Sequence, residues 1–207
     1  MTQRNTLTSR RDFLRATTTS LGAMATVGPA IWTCAATSSR RPKVAAIFTE
    51  FTYRSHAHVI LENFLEPYLF NGLLTDPGVD VVSFYADQMP ESDMAKKVAA
   101  DYQIPLYQSI DQALCLGGQE LAVDAVLSIG EHGNYPKNEL GQHQYPRKEF
   151  FDRIVKVMKR SGRFVPLYND KHLSYRWDWA KEMAETCSHL DIPFMAGSSV
   201  PLAQRQP

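Results

Sequence analysis

From Lys43 onward, short unbroken apolar runs alternate with amphipathic stretches of helical period. Val44-Ala45-Ala46-Ile47-Phe48 has strand length and no polar face, as a strand covered on both sides requires. Ser55 can cap a helix running to about Phe70, with Val59, Ile60, Phe64 and Leu65 on one side, Pro67 kinking it and Asn71-Gly72 ending it. Val79 to Tyr85 reads as a second strand that delivers Asp87 at its end, and Glu91 to Tyr102 as a second helix. Pro105-Leu106-Tyr107 is a short strand, and Ser109-Ile110-Asp111-Gln112 opens the next helix with a capping box. Ala122 to Ile129 is a fourth strand, ending in Gly130-Glu131-His132-Gly133. A polar loop of about fourteen residues follows, long enough to be a functional suspect. Lys148 to Ser161 is a helix with Phe150, Phe151, Ile154, Val155 and Met158 turned inward and Gly162 past its end. Phe164 to Tyr168, a helix from Tyr175 to Leu190, and Pro193 to Ala196 complete the alternation. Strands interleaved with helices, right-handed at each crossover, make an α/β, doubly wound, mostly parallel six-stranded sheet.

That pattern does not reach the N-terminus. Ser9-Arg10-Arg11-Asp12-Phe13-Leu14-Arg15 resembles a twin-arginine export motif, and a weakly apolar stretch from Ala16 to Trp32 follows. The stretch is too short and too polar for a stable membrane span. Cys34-Ala35-Ala36 offers small residues for cleavage, whereas Ile31-Trp32-Thr33-Cys34 makes a poor lipobox. The chain therefore divides into a signal peptide (1–36), a linker (37–42) and a Rossmann-like domain (43–207). The motif implies passage through the twin-arginine machinery in the folded state, and a periplasmic or extracellular destination with no span in the mature form.

Composition narrows the partners. Twenty-two basic and 22 acidic side chains in 207 residues leave no net charge. A nucleic-acid binder needs a basic surface to release counterions, so that class is excluded. Cys34, Cys115 and Cys187 are too few for a disulfide framework, and the latter two read as buried free thiols.

In a doubly wound sheet, ligands bind beyond the carboxyl ends of the strands, at the switch point. The residues expected there are Thr49, Glu50 and Arg54-Ser55-His56, then Asp87, then Glu131 and His132. Asp170, Lys171 and His172 follow the fifth strand, and Ser198 and Ser199 the sixth. Lys171 can serve as a general acid or base, or as an ion-pair partner of Asp170 or Glu131. His56, Glu131, His132, Asp170 and His172 carry donor types for Zn, Mn or Fe, although no established metal spacing is present. His58, His143 and His189 read as surface or packing residues, and Arg147 either reaches a polyol or anion or simply opens a helix. Tyr175, Trp177 and Trp179 form either a sugar-stacking wall or part of the core.

Ile104-Pro105-Leu106-Tyr107-Gln108-Ser109-Ile110-Asp111-Gln112-Ala113-Leu114, followed by Val123-Asp124-Ala125-Val126, resembles the N-terminal domain of the Gfo/Idh/MocA oxidoreductases. The similarity runs from about Lys43 to Ser199. Glu131-His132-Gly133-Asn134-Tyr135-Pro136-Lys137-Asn138-Glu139 and Asn169-Asp170-Lys171-His172-Leu173-Ser174 resemble an exported branch of that superfamily. The resemblance implies NAD or NADP as cofactor and a sugar-like small molecule as substrate. It implies a role for Lys171, at the place of the family's Glu-Lys-Pro lysine, although the flanking residues differ; with His172, Glu131 and His132 from the strand ends it makes the candidate catalytic set. Thr49, Glu50, Asp87 and Asp170 would be the cofactor contacts, and a C-terminal substrate domain would be absent or truncated. One departure argues against orthodox dinucleotide binding. Phe48-Thr49-Glu50-Phe51-Thr52-Tyr53 has no glycine where a pyrophosphate must approach the backbone, and Glu50 would repel it. Two other readings stay open: a metal-dependent hydrolase or lyase using Glu131, His132, Asp170 and His172, and a non-catalytic ligand-binding module. All three require Glu50, Glu131 and Lys171 to meet at one rim of the sheet.

Overall fold

The computed structural model describes residues 40–197. The export leader, Cys34, the first half of the linker (37–39), Ser198, Ser199 and the tail lie outside the described residues. β1 (Lys43–Phe48) is followed by α1 (His56–Leu65), β2 (Tyr68–Phe70), β3 (Leu73–Thr75) and β4 (Asp80–Ala86). Then come α2 (Ala95–Asp101), β5 (Leu106–Tyr107), α3 (Ile110–Cys115) and β6 (Ala125–Ile129). α4 (Arg147–Ser161), β7 (Leu167–Asp170), α5 (Trp177–His189) and β8 (Phe194–Gly197) close the domain.

Six strands form one sheet in the order β5-β4-β1-β6-β7-β8, parallel at every pairing. The chain winds outward from β1 to one edge, returns, and winds to the other, which is the Rossmann-like arrangement. Alternation along β1 explains the two layers of helices. Ala45 and Ile47 pack with residues of α3, α4 and α5, among them Leu114, Phe150, Ile154 and Met183. Val44, Ala46 and Phe48 pack on the other face with Ala57 and Leu61 of α1 and Ala95 and Val98 of α2. Burying a side chain such as Phe48 stabilises the fold by about 1.5–3 kcal/mol, and its ring meets Phe51 and Phe84 edge-on at 5.6 and 5.4 Å. Ser109 caps α3 as expected, its Oγ accepting from the Gln112 amide at 3.2 Å. Cys115 and Cys187 are buried free thiols, and burial pushes the Cys187 thiol up to about 11.

The first helix is shorter than its apolar pattern suggests. It stops at Leu65, and Glu66 turns extended (φ −125°, ψ 153°) because Pro67 bars the helical region to the residue before it. Asn71 and Gly72, expected to end that helix, form the turn of a β2–β3 hairpin, with φ of 50° and 79°. Positive φ at both central residues is the hairpin turn whose twist matches the strands. No helix among the described residues is long and apolar enough to cross a membrane.

Candidate functional site

The carboxyl ends of β1, β6 and β7 lie side by side at the switch point, and each hands a polar residue to the same rim. Asp170 closes β7 with a side chain only 4% exposed, and His56 Nδ1 lies 2.6 Å from its Oδ2. His56 is the first residue of α1, whose N-cap is Ser55, so a helix start and a strand end fix the pair from opposite sides. With Nδ1–H donated to the carboxylate, the ring presents Nε2 as its basic nitrogen. His132 stands beside it, the two rings 5.2 Å apart.

Glu131 continues the rim. Its carboxylate pairs with the guanidinium of Arg147, whose side chain is 1% exposed. Arg147 opens α4 and lies flat across Gly130, where a Cβ would come within 2.7 Å of Arg147 Cγ. Glycine there leaves the room the arginine occupies. Arg147 also contacts His172 Nε2 at 3.3 Å and stacks over the Tyr145 ring at 5.1 Å. Burial draws the guanidinium pKa down while Glu131 opposes it. Burial and the neighbouring guanidinium lower His172 too, keeping the imidazole neutral more readily.

The remaining predicted residues divide. Thr49 is buried and donates its hydroxyl to the Glu131 carbonyl at 2.5 Å, which ties β1 to β6 and spends the group on the fold. Glu50 accepts from Thr52 Oγ1 at 3.0 Å and, with Glu131, helps raise the Tyr145 phenol above its ordinary range, burial being the larger cause. Asp87 follows β4 and accepts from Tyr85 and Tyr135 hydroxyls at 2.8 and 2.6 Å. Lys171 makes no ion pair with Asp170 or Glu131 among the described residues. It borders a separate, largely apolar cavity of about 720 Å³ with Leu173, Trp177 and Gly197. Lys171 and His132, at φ of 66° and 70°, both carry the left-handed backbone that concentrates at functional strand ends. No cluster of three or more His, Cys, Asp or Glu side chains is placed to hold a metal among the described residues.

Beside the rim runs a cleft of about 480 Å³ walled by Tyr135, Tyr145, Tyr175 and Trp179, with Asp87 and Glu149 among its polar groups. Tyr145 joins cleft and rim: its ring lines the cleft and lies under the guanidinium of Arg147, the partner of Glu131. Trp179 belongs to this wall, 5.4 Å from Tyr175, whereas Trp177 is exposed outside it. His56 as the partner of Asp170, and Tyr135 and Tyr145 as cleft walls, were not legible as site residues from residue order.

The turn between β1 and α1 is a poor fit for a dinucleotide. A pyrophosphate seat needs free backbone amides at a helix start. In the turn leading to the helix the Phe51, Arg54 and Ser55 amides are spent on Asp93 Oδ2 (2.6 Å), His58 Nδ1 (2.8 Å) and Thr52 O (3.0 Å). In the first helical turn the His58 amide is spent on Ser55 Oγ (3.3 Å), which leaves there only those of His56 and Ala57, behind a turn with no glycine.

Fold and rim together define a Rossmann-like α/β domain with a polar site at its switch point. No family model matches the chain, and no curated protein does. Among solved structures, a dehydrogenase from Clostridium difficile is similar over 76% of this chain and 39% of its own, at 14% identity and a TM-score of 0.47. Biliverdin reductase from a Synechocystis species, solved with biliverdin and NADP+, is similar over 76% of this chain and 38% of its own, at 14% identity and a TM-score of 0.46. An oxidoreductase from Agrobacterium radiobacter, solved with NAD+, L-tartaric acid and magnesium, gives 76% and 35%, 16% identity and a TM-score of 0.46. The chain thus spans well under half the length of each of these proteins. The fold assignment stands on strand order and the site on its own side chains.

Proposed function

We propose that this chain is an exported, oxidoreductase-type protein of Rossmann-like fold that acts on a sugar-like small molecule at the carboxyl rim of its sheet. The observation that carries the reading is the His56–Asp170 pair at the switch point, with His132 beside it and an aromatic cleft walled by Tyr145 next to the rim. Interconverting an alcohol and a carbonyl requires a group that takes or returns the hydroxyl proton, and a histidine oriented by a buried carboxylate supplies it. Tyrosine and tryptophan faces pack against the apolar face of a pyranose or cyclitol, and Asp87 and Glu149 can accept its hydroxyls. Glu131, His132 and His172 flank the pair and would set substrate orientation and local charge, while Lys171 borders the separate cavity. The hydride partner in this class is a nicotinamide dinucleotide, and because the β1–α1 turn does not fit one, no step is derived through it. That misfit favours a second reading, a protein that kept the fold and handles its ligand without redox chemistry.

Calorimetric titration with neutral hexoses and cyclitols tests the proposal. Saturable binding that Trp179→Ala abolishes, and, with a two-electron acceptor dye supplied to take the hydride equivalent, turnover that Asp170→Asn removes while binding persists, is the expected result. Absence of binding across the panel would sink it. Export rests on the leader motif alone, and replacing Arg10 and Arg11 by lysine is expected to hold the chain in the cytoplasm; unchanged export would refute that assignment.

A further inference from the structure

In nucleotide-binding sheets of this winding, an acidic residue at the end of the strand beside the first one hydrogen-bonds the ribose. Asp87 has that position. It directly follows β4, the neighbour of β1, and its amide donates to Phe48 O at 3.0 Å. Its carboxylate is engaged by the chain itself, Oδ1 by the Tyr85 hydroxyl and Oδ2 by the Tyr135 hydroxyl.

Tyr135 arrives from the long loop between β6 and α4, and that loop is built to hold it there. Asn134 and Gln88 exchange two hydrogen bonds, amide to Oε1 at 2.8 Å and Nε2 to carbonyl at 3.1 Å, which pins the loop to the end of β4. Gly133 has a φ of 99°, and a Cβ there would lie 2.7 Å from the Tyr135 ring and 3.1 Å from Gln88 Oε1. Only glycine lets the ring fold back so closely. Behind it, Tyr145 meets Tyr135 edge-on at 5.6 Å and His143 stacks on Tyr145 at 5.3 Å, an aromatic column that keeps the phenol in place. Burial and the adjacent carboxylate raise the Tyr135 phenol, so it stays a donor throughout the physiological range.

We propose that the β6–α4 loop fills the nucleoside side of the crevice, Tyr135 presenting its hydroxyl to Asp87 where a ribose hydroxyl would otherwise bind. Tyr135 is then the residue that sets ligand specificity at this end of the site, turning a nucleotide seat into the wall of the aromatic cleft. The inference goes beyond the functional reading above. Sugar binding without dinucleotide binding leaves this inference and the sugar site standing and selects the non-redox reading of that site; dinucleotide binding removes this inference alone; absence of sugar binding removes only the function.

The test is titration of the full chain with NAD+, NADH, NADP+ and NADPH, followed by fluorescence and calorimetry, and with adenosine as a phosphate-free probe. The wild type is expected to show no saturable binding of any of them up to about 1 mM. Tyr135→Ala, checked for an unchanged circular-dichroism spectrum, is expected to bind adenosine at least about tenfold more tightly than the wild type. Tyr135→Phe keeps the ring in the column and is expected to gain far less. Wild-type binding of a dinucleotide with a Kd below about 100 μM would overturn the proposal, as would a folded Tyr135→Ala that takes adenosine no better than wild type.

Discussion

Arg147 and Glu131 form an ion pair whose two members are unequally protected, and the inequality predicts an order of variant stabilities. The arginine side chain is 1% exposed and the glutamate side chain 21%. Arginine Nε is buried without a partner, a cost of about 1–3 kcal/mol already carried by the wild type. Glu131→Leu leaves a buried cation uncompensated and is expected to cost about 3–5 kcal/mol, the range for breaking a buried pair. Arg147→Met leaves a carboxylate that water can reach, so its loss falls at or below the bottom of that range, about 2–3 kcal/mol. The combined E131L/R147M variant also removes the orphaned Nε, and is expected to lie within about 1 kcal/mol of wild type. Urea unfolding followed by circular dichroism measures all three. At about 2–4 °C per kcal/mol for a domain of this size, Glu131→Leu lowers Tm by about 6–20 °C. Additive losses in the combined variant, or Arg147→Met costing more than Glu131→Leu, would refute the reasoning.

Two further perturbations read other parts of the same fold. Gly130→Ala places a methyl 2.7 Å from Arg147 Cγ, and should cost about 1–3 kcal/mol by overpacking; in an Arg147→Ala background, which removes Cγ, the cost should shrink, which a melting comparison checks. Asp124 is partly desolvated, which raises its pKa, but the Lys43 amide, Arg40 and Arg163 outweigh burial and hold it below the ordinary carboxylate range. A depressed folded pKa contributes stability above the unfolded value of 3.8, lost as pH falls through the lower folded value. Asp124→Asn should therefore destabilise at neutral pH and flatten the acid limb of the stability profile; an unchanged limb contradicts the clamp.

The parts of this fold that were legible in the sequence are those where one local rule decides. β1 reads as a two-sided strand because all five residues after Lys43 are apolar, and they are buried on two opposite faces. The hairpin was hidden because Phe64, Leu65 and Leu69 continue a helical stripe, and the decisive fact is steric: Pro67 acting on Glu66. The strand-end carboxylates and histidines could be placed on one rim because parallel winding puts every βα turn at the same edge. Which of them pair could not. His56 and Asp170 are 114 positions apart, and Tyr135 and Asp87 48 apart; both pairs depend on loop paths that no periodicity encodes. Arg147, read as a helix opener or ligand contact, is buried because a glycine 17 positions earlier leaves space for it, a relation visible only in three dimensions.

The proposed proton transfer requires that Asp170 hold His56 with its other nitrogen offered to a ligand. Nitrogen-15 NMR of the histidine side chains at alkaline pH reads that state directly. His56 is expected in the Nδ1–H tautomer in the wild type, shifting toward the ordinary Nε2–H form in Asp170→Asn. A wild-type His56 already in the Nε2–H form, indistinguishable from the variant, would contradict the pairing and the proton-transfer role built on it.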